Sequence, residues 1–384
     1  MAESTVAVSK EAAAKTAGKG GLEGVVAATT SISYVDGQAG RLIYRGYDIH
    51  DLAHSTTFEE IAYLLWFGRL PNRAEGEQLR ARLIEQRHLP EPVLSMLREL
   101  PPDTAPMDML RTAVSLWGLH TVRGTPTIDQ AIALTAAFPL ILTTFHRLRQ
   151  GLEPLEPRND LGHTANYLYM LTGQEARPEH VKGLDSYLVM LADHNMNAST
   201  FTARIVASTS SDLASAVVAA IGALKGPLHG GAADKSQEML AAIGSAENAE
   251  PWMRATLARG DRLMGFGHRA YKTTDPRSEE LREMARQADP ESFAFAHHVE
   301  GLALRLLEEA KPGRRLYTNV DFYSAVLLNA VGIPVDLFTP TFAVARVVGW
   351  TAHILEQTNN NRLIRPLAEY TGQDHLPFVS RERR

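Results

Sequence analysis

The chain has 384 residues, which at about 150 residues per domain predicts two to three domains. With 45% hydrophobic and 22% charged residues it can build a large core, and having no cysteine it has no disulfide, thiolate metal site or cysteine nucleophile. A net charge of −5 argues against general nucleic-acid binding, and no apolar run approaches the roughly 18–20 residues of a membrane span.

Residues 1–20 combine small and polar residues with lysines and contain no apolar stretch typical of a secretory signal. They include no arginine and two glutamates, unlike a typical transit peptide. We therefore expect a flexible N-terminal tail on a cytoplasmic protein.

The first ordered elements are predicted to be β-strands. Ser31–Val35 and Leu42–Tyr44 flank Asp36-Gly37, a pair typical of a hairpin turn. Helices dominate after it, beginning with a capping box at Thr57–Glu60 and a stop at Gly68. The further predicted helices begin at Pro106, cover 127–151, cover 177–209 with a break near Asn195, follow Asp212 to Leu224, and run from about Thr339 to Gln357. The predicted class is mainly α with a small N-terminal hairpin.

Three segments carry polar side chains that amphipathic helices do not explain. The first is the turn 225–231, where His229 stands among Gly and Pro just before a helix. A neutral imidazole there can donate one N–H to a carbonyl oxygen, and glycines allow a ligand to approach closely. The alternative is a helix-capping turn with an incidental histidine.

The second segment, 264–277, contains His268, Arg269, Lys272 and Arg277 among Gly and Pro. Such dense cations indicate an anion site. The alternative is a solvated basic loop, but the apolar residues in the segment argue against it. A dinucleotide site is unsupported because the third glycine and the preceding strand are missing.

The third segment, 317–324, places Asp321 between Val320 and Phe322. Apolar neighbours raise the pKa of a carboxyl group, as a general base requires. Asp321 could equally cap a helix, and the two readings are compatible. On the last helix, Arg346 has no acidic residue three or four positions away, so a ligand carboxylate is its candidate partner.

Together these segments resemble the citrate synthase family, in its compact bacterial and archaeal form. The likeness runs from about Leu22 to about Pro377. The matching stretches are 42–47, 194–200, 225–231, 265–277, 319–323, and Phe342 to Arg346 with Arg365-Pro366.

The resemblance implies an Si-type acyltransferase that condenses acetyl-CoA with oxaloacetate and hydrolyses citryl-CoA to citrate, at entry to the tricarboxylic acid cycle. It implies that His229 polarises the thioester carbonyl, Asp321 removes a methyl proton and His268 donates to the ketone. Oxaloacetate would be bound by His194, Arg277, Phe342, Arg346 and, from the other subunit of a homodimer, Arg365. Coenzyme A contacts would come from Arg269, Lys272 and Asn319. No metal or permanently bound cofactor is implied, and acetyl-CoA is a cosubstrate.

The resemblance also implies two domains, a large one of residues 21–224 and 326–384 and a small one of residues 225–325 that closes over it. The sequence departs from the family at Ala233-Asp234, where Asn-Glu is usual, and at Ala214, where many relatives have tyrosine. These departures bear on the acyl group that is preferred.

Three alternatives remain at this level. The first is a 2-methylcitrate synthase that uses propionyl-CoA, because one methylene changes discrimination by only about 1–3 kcal/mol. The second is a metalloenzyme, suggested by 14 histidines, although the adjacent His297-His298 lacks the spacing of zinc ligands. The third is a non-catalytic helical binding protein, which would be expected to have lost one of His229, His268 and Asp321.

Overall fold

A computed structural model describes residues 21–384 apart from Glu23, Arg269 and Arg315. The predicted tail, residues 1–20, lies outside the described residues. Within them the chain forms sixteen α-helices and one three-stranded antiparallel sheet. The strands are β1 (Ser33–Asp36), β2 (Arg41–Tyr44) and β3 (Tyr47–Asp48).

Sixteen α-helices follow these strands in the described part of the chain. The first eight are α1 (Ile49–Ser55), α2 (Phe58–Phe67), α3 (Arg73–Glu85), α4 (Glu91–Glu99), α5 (Pro106–Thr121), α6 (Ile128–Leu148), α7 (His163–Thr172) and α8 (Pro178–Leu191). The others are α9 (Ala198–Ser208), α10 (Leu213–Leu224), α11 (Ala232–Ile243), α12 (Ala246–Ala258), α13 (Pro276–Ala288), α14 (Pro290–Ala310), α15 (Val320–Ala330) and α16 (Phe338–Asn359).

The predicted hairpin is confirmed, and the structure adds the short strand β3. Asp36 shapes the turn, because its carboxylate accepts the backbone N–H groups of Gln38 and Ala39 at 3.0 and 2.9 Å. On β2 the buried Tyr44 hydroxyl donates to the carbonyl oxygen of Asp193 at 2.7 Å and accepts the N–H of Asp193 at 3.0 Å. The sheet is thereby attached to the segment that joins α8 to α9.

Local capping chemistry sets several helix ends as predicted. Thr57 and Glu60 form a capping box at the start of α2, and Gly68 ends that helix with φ of +82°. Asp212 caps α10 by accepting the N–H of Ser215 at 2.9 Å. Pro106 is the first residue of α5, where its missing N–H costs no helical hydrogen bond.

The long predicted helical stretch 177–209 is two helices. Residues 192–197 separate α8 from α9, and Asn195 adopts φ of +50°, a left-handed conformation that asparagine tolerates. The break turns the chain so that His194 lies between two helices rather than on the surface of one.

Helix α16 forms the centre of the core and packs against α2, α6, α8, α9 and α10. Contrary to the expectation from the sequence, one of the described helices, α6, is long and apolar enough to cross a membrane. Most of it is buried in the protein, as is usual for a core helix. Helices α5 and α10 pack closely at Gly118, where an added Cβ would lie 2.3 Å from the Cβ of Ala214. Ala214 therefore acts in this helix contact, where a larger side chain would force the helices apart.

Candidate active site

His229 lies in the turn between α10 and α11. Gly230 is required beside it, because an added Cβ would lie 2.4 Å from the carbonyl oxygen of Leu224. The Nε2 atom of His229 lies 2.8 Å from the hydroxyl of Ser199 and 3.3 Å from its backbone nitrogen. Ser199 is the second residue of α9, so its N–H has no partner within the helix.

The contacts of His229 select its tautomer. A backbone N–H can only donate, so Nε2 accepts and the proton is on Nδ1. The indole of Trp350 donates to the hydroxyl of Ser199 at 3.0 Å and holds it in place. Burial, assisted by the charge of Arg346, lowers the pKa of His229 to about 4. His229 is therefore a neutral imidazole with an N–H available on Nδ1.

His268 has the opposite tautomer. Its Nδ1 accepts the backbone N–H groups of Ala270 and Tyr271 at 2.9 and 3.1 Å, which leaves the proton on Nε2. Burial, with a contribution from Arg277, lowers the pKa of His268 to about 4. His268 is therefore a second neutral N–H donor, through its Nε2 atom.

His194 lies beside His268, with ring centroids 5.8 Å apart. Its Nε2 is 3.1 Å from the hydroxyl of Tyr271. Burial lowers the pKa of His194 well below its usual value, and the nearby charges of Arg277 and Arg346 add to the effect. A neutral, polar side chain thus faces two guanidinium groups.

Asp321 is the second residue of α15, and the helix is capped by Asn319, whose Oδ1 accepts the N–H of Asp321 at 3.0 Å. Among the described residues none donates a hydrogen bond to the Asp321 carboxylate. Burial raises the pKa of Asp321 to about 6, and the charges of Asp275 and Asp234 also raise it while Arg277 opposes them. The cap belongs to Asn319, so the carboxylate of Asp321 is available as a base.

Arg277 already has a carboxylate partner inside the protein. Its Nε and Nη2 donate to the two oxygens of buried Asp275 at 3.0 and 2.8 Å. Asp275 also caps α13 through the N–H of Arg277. This bidentate pair fixes the guanidinium, so Arg277 is pre-oriented for a further anion.

Arg346 is different, because within the described part of the chain no carboxylate lies within 4.0 Å of it although it is 1% exposed. Its Nε donates to the carbonyl oxygen of Leu191 at 2.7 Å, and its guanidinium lies 4.7 Å from the ring centroid of Phe342. Burial lowers its pKa to about 10, and the charge of Asp193 opposes the shift. A buried cation so placed favours an anionic ligand. The Phe342 ring also lies 6.4 Å from that of His229.

The other predicted residues lie differently. Arg365 is exposed, in the extended segment after α16, and lines a cavity with the chain's first described residues rather than with the histidines. Lys272 is exposed, and its backbone N–H donates to Gly37 at 2.8 Å. The amide of Asn319 is occupied, since Nδ2 donates to the carbonyl oxygen of Gly267 at 2.8 Å while Oδ1 caps α15. Arg269 lies outside the described residues.

The departure at Asp234 places a second carboxylate near the site. Its Oδ2 is 2.9 Å from the hydroxyl of Thr339, while its buried Oδ1 has no hydrogen-bond partner among the described residues. Burial raises the pKa of Asp234 to about 6. Asp234 therefore adds to the electrostatic environment of Asp321.

Two guanidinium groups link these side chains electrostatically. The charge of Arg277 acts on His194, His268 and Asp321, and that of Arg346 acts on His194 and His229. No group of three or more His, Asp or Glu side chains suited to a metal ion occurs among the described residues. No role was predicted from the sequence for Ser199, Trp350 or Asp275. Two of these residues had a sequence signal. Ser199 follows the capping residue Asn197 at a position whose N–H is free, and Asp275 precedes Pro276, a pair typical of a helix start.

Similar sequences and a matching family model identify the family. The family model described as the citrate synthase C-terminal domain matches residues 21–367. Citrate synthase 2 of Bacillus subtilis (strain 168) is 46% identical over 370 residues, 95% of this chain and 98% of that protein. A 2-methylcitrate synthase of Mycobacterium tuberculosis (strain H37Rv) is 39% identical, over 93% of this chain and 91% of that protein.

Solved structures give the same result. The citrate synthase of Thermotoga maritima MSB8 matches with a TM-score of 0.85 and 40% identity, covering 95% of this chain and 99% of that chain. The Thermoplasma acidophilum citrate synthase, solved in a ternary complex with carboxymethyl coenzyme A and oxaloacetate, matches with a TM-score of 0.88 and 30% identity. The match covers 94% of this chain and 98% of that chain. The protein is therefore an enzyme of the acyltransferase type. Within that class, the chain belongs to the citrate synthase family.

Proposed function

We propose that the protein condenses acetyl-CoA with oxaloacetate and hydrolyses the resulting citryl-CoA to citrate and CoA. The observation that carries this proposal is a carboxylate with its pKa raised to about 6, together with two neutral histidines of fixed tautomer. The charge of Arg277 acts on both Asp321 and His268, which supports one shared site. A thioester α-proton is weakly acidic, so its removal needs a base and an oxyanion donor together.

Each of the three side chains has one role in the proposed reaction. Asp321 takes a methyl proton of acetyl-CoA while Nδ1–H of His229 stabilises the developing enol oxygen. The methyl carbon then bonds to the ketone carbon of oxaloacetate, whose oxygen receives a hydrogen bond or proton from Nε2–H of His268. Water finally cleaves the thioester and releases CoA as a thiol.

The keto-diacid is proposed to lie between Arg277 and Arg346, with His194 and Phe342 beside it. Arg346 supports this because it is buried with no carboxylate partner among the described residues. Holding the ketone in register in this way lowers the entropic cost of forming the carbon–carbon bond. Closure of residues 225–325 over 21–224 and 326–384 would exclude water during condensation.

The test is release of free thiol from acetyl-CoA and from propionyl-CoA, each with oxaloacetate, measured side by side. The chain has no cysteine, so a thiol reagent reports the product alone. A higher kcat/KM for acetyl-CoA supports the proposal. A clear preference for propionyl-CoA favours a 2-methylcitrate synthase, for which the 39% identity to the Mycobacterium tuberculosis protein is the supporting observation. Oxaloacetate binding without thiol release would indicate a non-catalytic binding protein.

We also propose a cytoplasmic homodimer in which Arg365 completes the partner's site. Arg365 is exposed, and the segment that follows it carries exposed apolar side chains, with Leu367 91% and Phe378 88% exposed. Arg365→Ala is expected to raise the KM for oxaloacetate with its own subunit's pocket intact. In mixed dimers with the change on one chain, one site should be lost, so equal loss of both would contradict the assignment.

A further inference from the structure

Glu300 is a buried carboxylate on α14 that lies outside the residues assigned to substrates. It is 2% exposed. Its Oε1 accepts from Thr318 Oγ1 and from Arg282 Nη2, both at 2.6 Å. Its Oε2 accepts from the Tyr323 hydroxyl at 2.5 Å and lies 3.2 Å from Nδ1 of His297. Burying a charge is costly, and several donors from separate segments offset the cost here.

Two of the donors flank the proposed base. Thr318 stands three residues before Asp321, and Tyr323 stands two residues after it. Because both are bonded to one carboxylate, the first turn of α15 is fixed on both sides of Asp321. The ring of Tyr323 packs at 5.2 Å against Phe322, which restricts it further.

The same segment also holds the loop that carries His268. Gly267 donates its N–H to the carbonyl oxygen of Tyr317 at 2.7 Å, and Asn319 donates to that of Gly265 at 2.9 Å. These bonds form a short antiparallel pairing around Thr318. A shift of Thr318 would therefore move the loop that leads to His268 together with Asp321.

The third donor lies on α13, the helix whose second residue is Arg277, proposed to bind substrate. Arg282 is on α13, five residues after Arg277, and its guanidinium also lies 5.3 Å from the ring centroid of Tyr323. One carboxylate thus joins α13, α14, α15 and, through Thr318, the loop before α13.

We propose that Glu300 is a positioning residue that holds Asp321, His268 and Arg277 in one mutual arrangement. It acts through Thr318, Tyr323 and Arg282 and touches no substrate. The inference rests on the proposed roles of the first three residues. A carboxylate suits this position because its two oxygens accept several donors at once, whereas an amide offers a single acceptor oxygen.

The test compares Glu300→Gln with Glu309→Gln, a half-exposed glutamate on the same helix that pairs with Arg254 at 3.1 Å. Glu300→Gln is expected to lower kcat at least about tenfold, because small errors in placing a base are costly. With trideuterated acetyl-CoA its primary isotope effect on kcat should increase, since proton removal becomes more rate-limiting. Glu309→Gln should match the unaltered enzyme in both. A loss of stability alone would lower the active fraction without changing the isotope effect.

Tyr323→Phe removes one hydroxyl and serves where Glu300→Gln fails to fold. Tyr323→Phe should lower kcat and increase the isotope effect by smaller amounts than Glu300→Gln. The loss of kcat in the double variant should be smaller than the two single losses combined. Hydrogen exchange needs no substrate, so it separates this inference from the proposed reaction: residues 316–323 and 264–271 should both exchange faster in Glu300→Gln. The proposal would be overturned by an unchanged kcat per folded enzyme, an unchanged isotope effect, or unchanged exchange in both segments. If the unaltered enzyme releases no thiol, it is the proposed reaction that is overturned.

Discussion

Asp321→Asn should make the enzyme inactive and more stable at the same time. Above pH 6 the folded enzyme holds an ionised Asp321 that burial disfavours, because the pKa rises from 3.8 to about 6. Asparagine has nearly the same shape and never ionises. The variant therefore avoids the cost of a buried charge and loses the base.

The size of the stability change follows from the pKa difference. A rise of about 2 units at about 1.4 kcal/mol per unit gives roughly 3 kcal/mol. The side chain is only partly shielded from solvent, so about half of that, roughly 1.5 kcal/mol, is the expected gain. The native state binds its proton more tightly than the unfolded chain. The cost of the wild-type carboxylate is therefore absent below about pH 4, grows up to about pH 6 and is constant above it.

Urea unfolding at about pH 7.5 and at about pH 4.5 measures this difference, with Asp103→Asn, an exposed loop carboxylate, as the matched control. The stabilisation should be full at the higher pH and smaller at the lower one. Thiol release should fall by about 10²–10⁴-fold, the usual contribution of a general base. Near-normal thiol release, or a variant less stable than wild type at neutral pH, would refute the reasoning.

Other substitutions and conditions test the rest of the site. The value of kcat/KM, which reports ionisations of the free enzyme, should rise with pH near pH 6 as Asp321 ionises. No histidine step is expected between about pH 5 and 8, because the pKa values of His229 and His268 are about 4; a pH profile of kcat/KM checks this. Ser199→Ala should lower kcat about 10- to 100-fold and leave the KM for oxaloacetate within about twofold, as measured by steady-state kinetics. The reason is that Nε2 of His229 loses its contact with the Ser199 hydroxyl. Arg346→Leu should raise the KM for oxaloacetate at least about 100-fold. It should not lower the free energy of unfolding measured by urea titration, because the arginine is a buried charge with no carboxylate partner among the described residues.

The parts of the fold that the sequence predicted are those set by neighbouring residues. The capping box at Thr57, the stop at Gly68 and the cap at Asp212 each depend on atoms within a few positions. The break near Asn195 was visible for the same reason. Strand β3 was missed because two residues are too short for any periodicity to appear.

The candidate site was only partly predictable, since its geometry comes from contacts between distant residues. Residue types pointed to His229 and Asp321, but the tautomer of His229 depends on the backbone N–H of Ser199, 30 residues earlier. The Asp275–Arg277 pair is local, yet nothing in the spacing showed that Asp275 both caps α13 and binds the guanidinium. Arg365 stays a prediction, because its proposed partner is another chain.

The turn of the N-terminal hairpin touches the segment that follows His268. An added Cβ on Gly37 would lie 2.1 Å from the carbonyl oxygen of Ala270, and Gly37 accepts the N–H of Lys272 at 2.8 Å. If that segment rearranges on ligand binding, the surroundings of the hairpin turn therefore change as well. Gln38 is exposed at this turn, and the chain has no native thiol. A fluorophore on Gln38→Cys would report ligand occupancy from outside the pocket, in real time and without turnover.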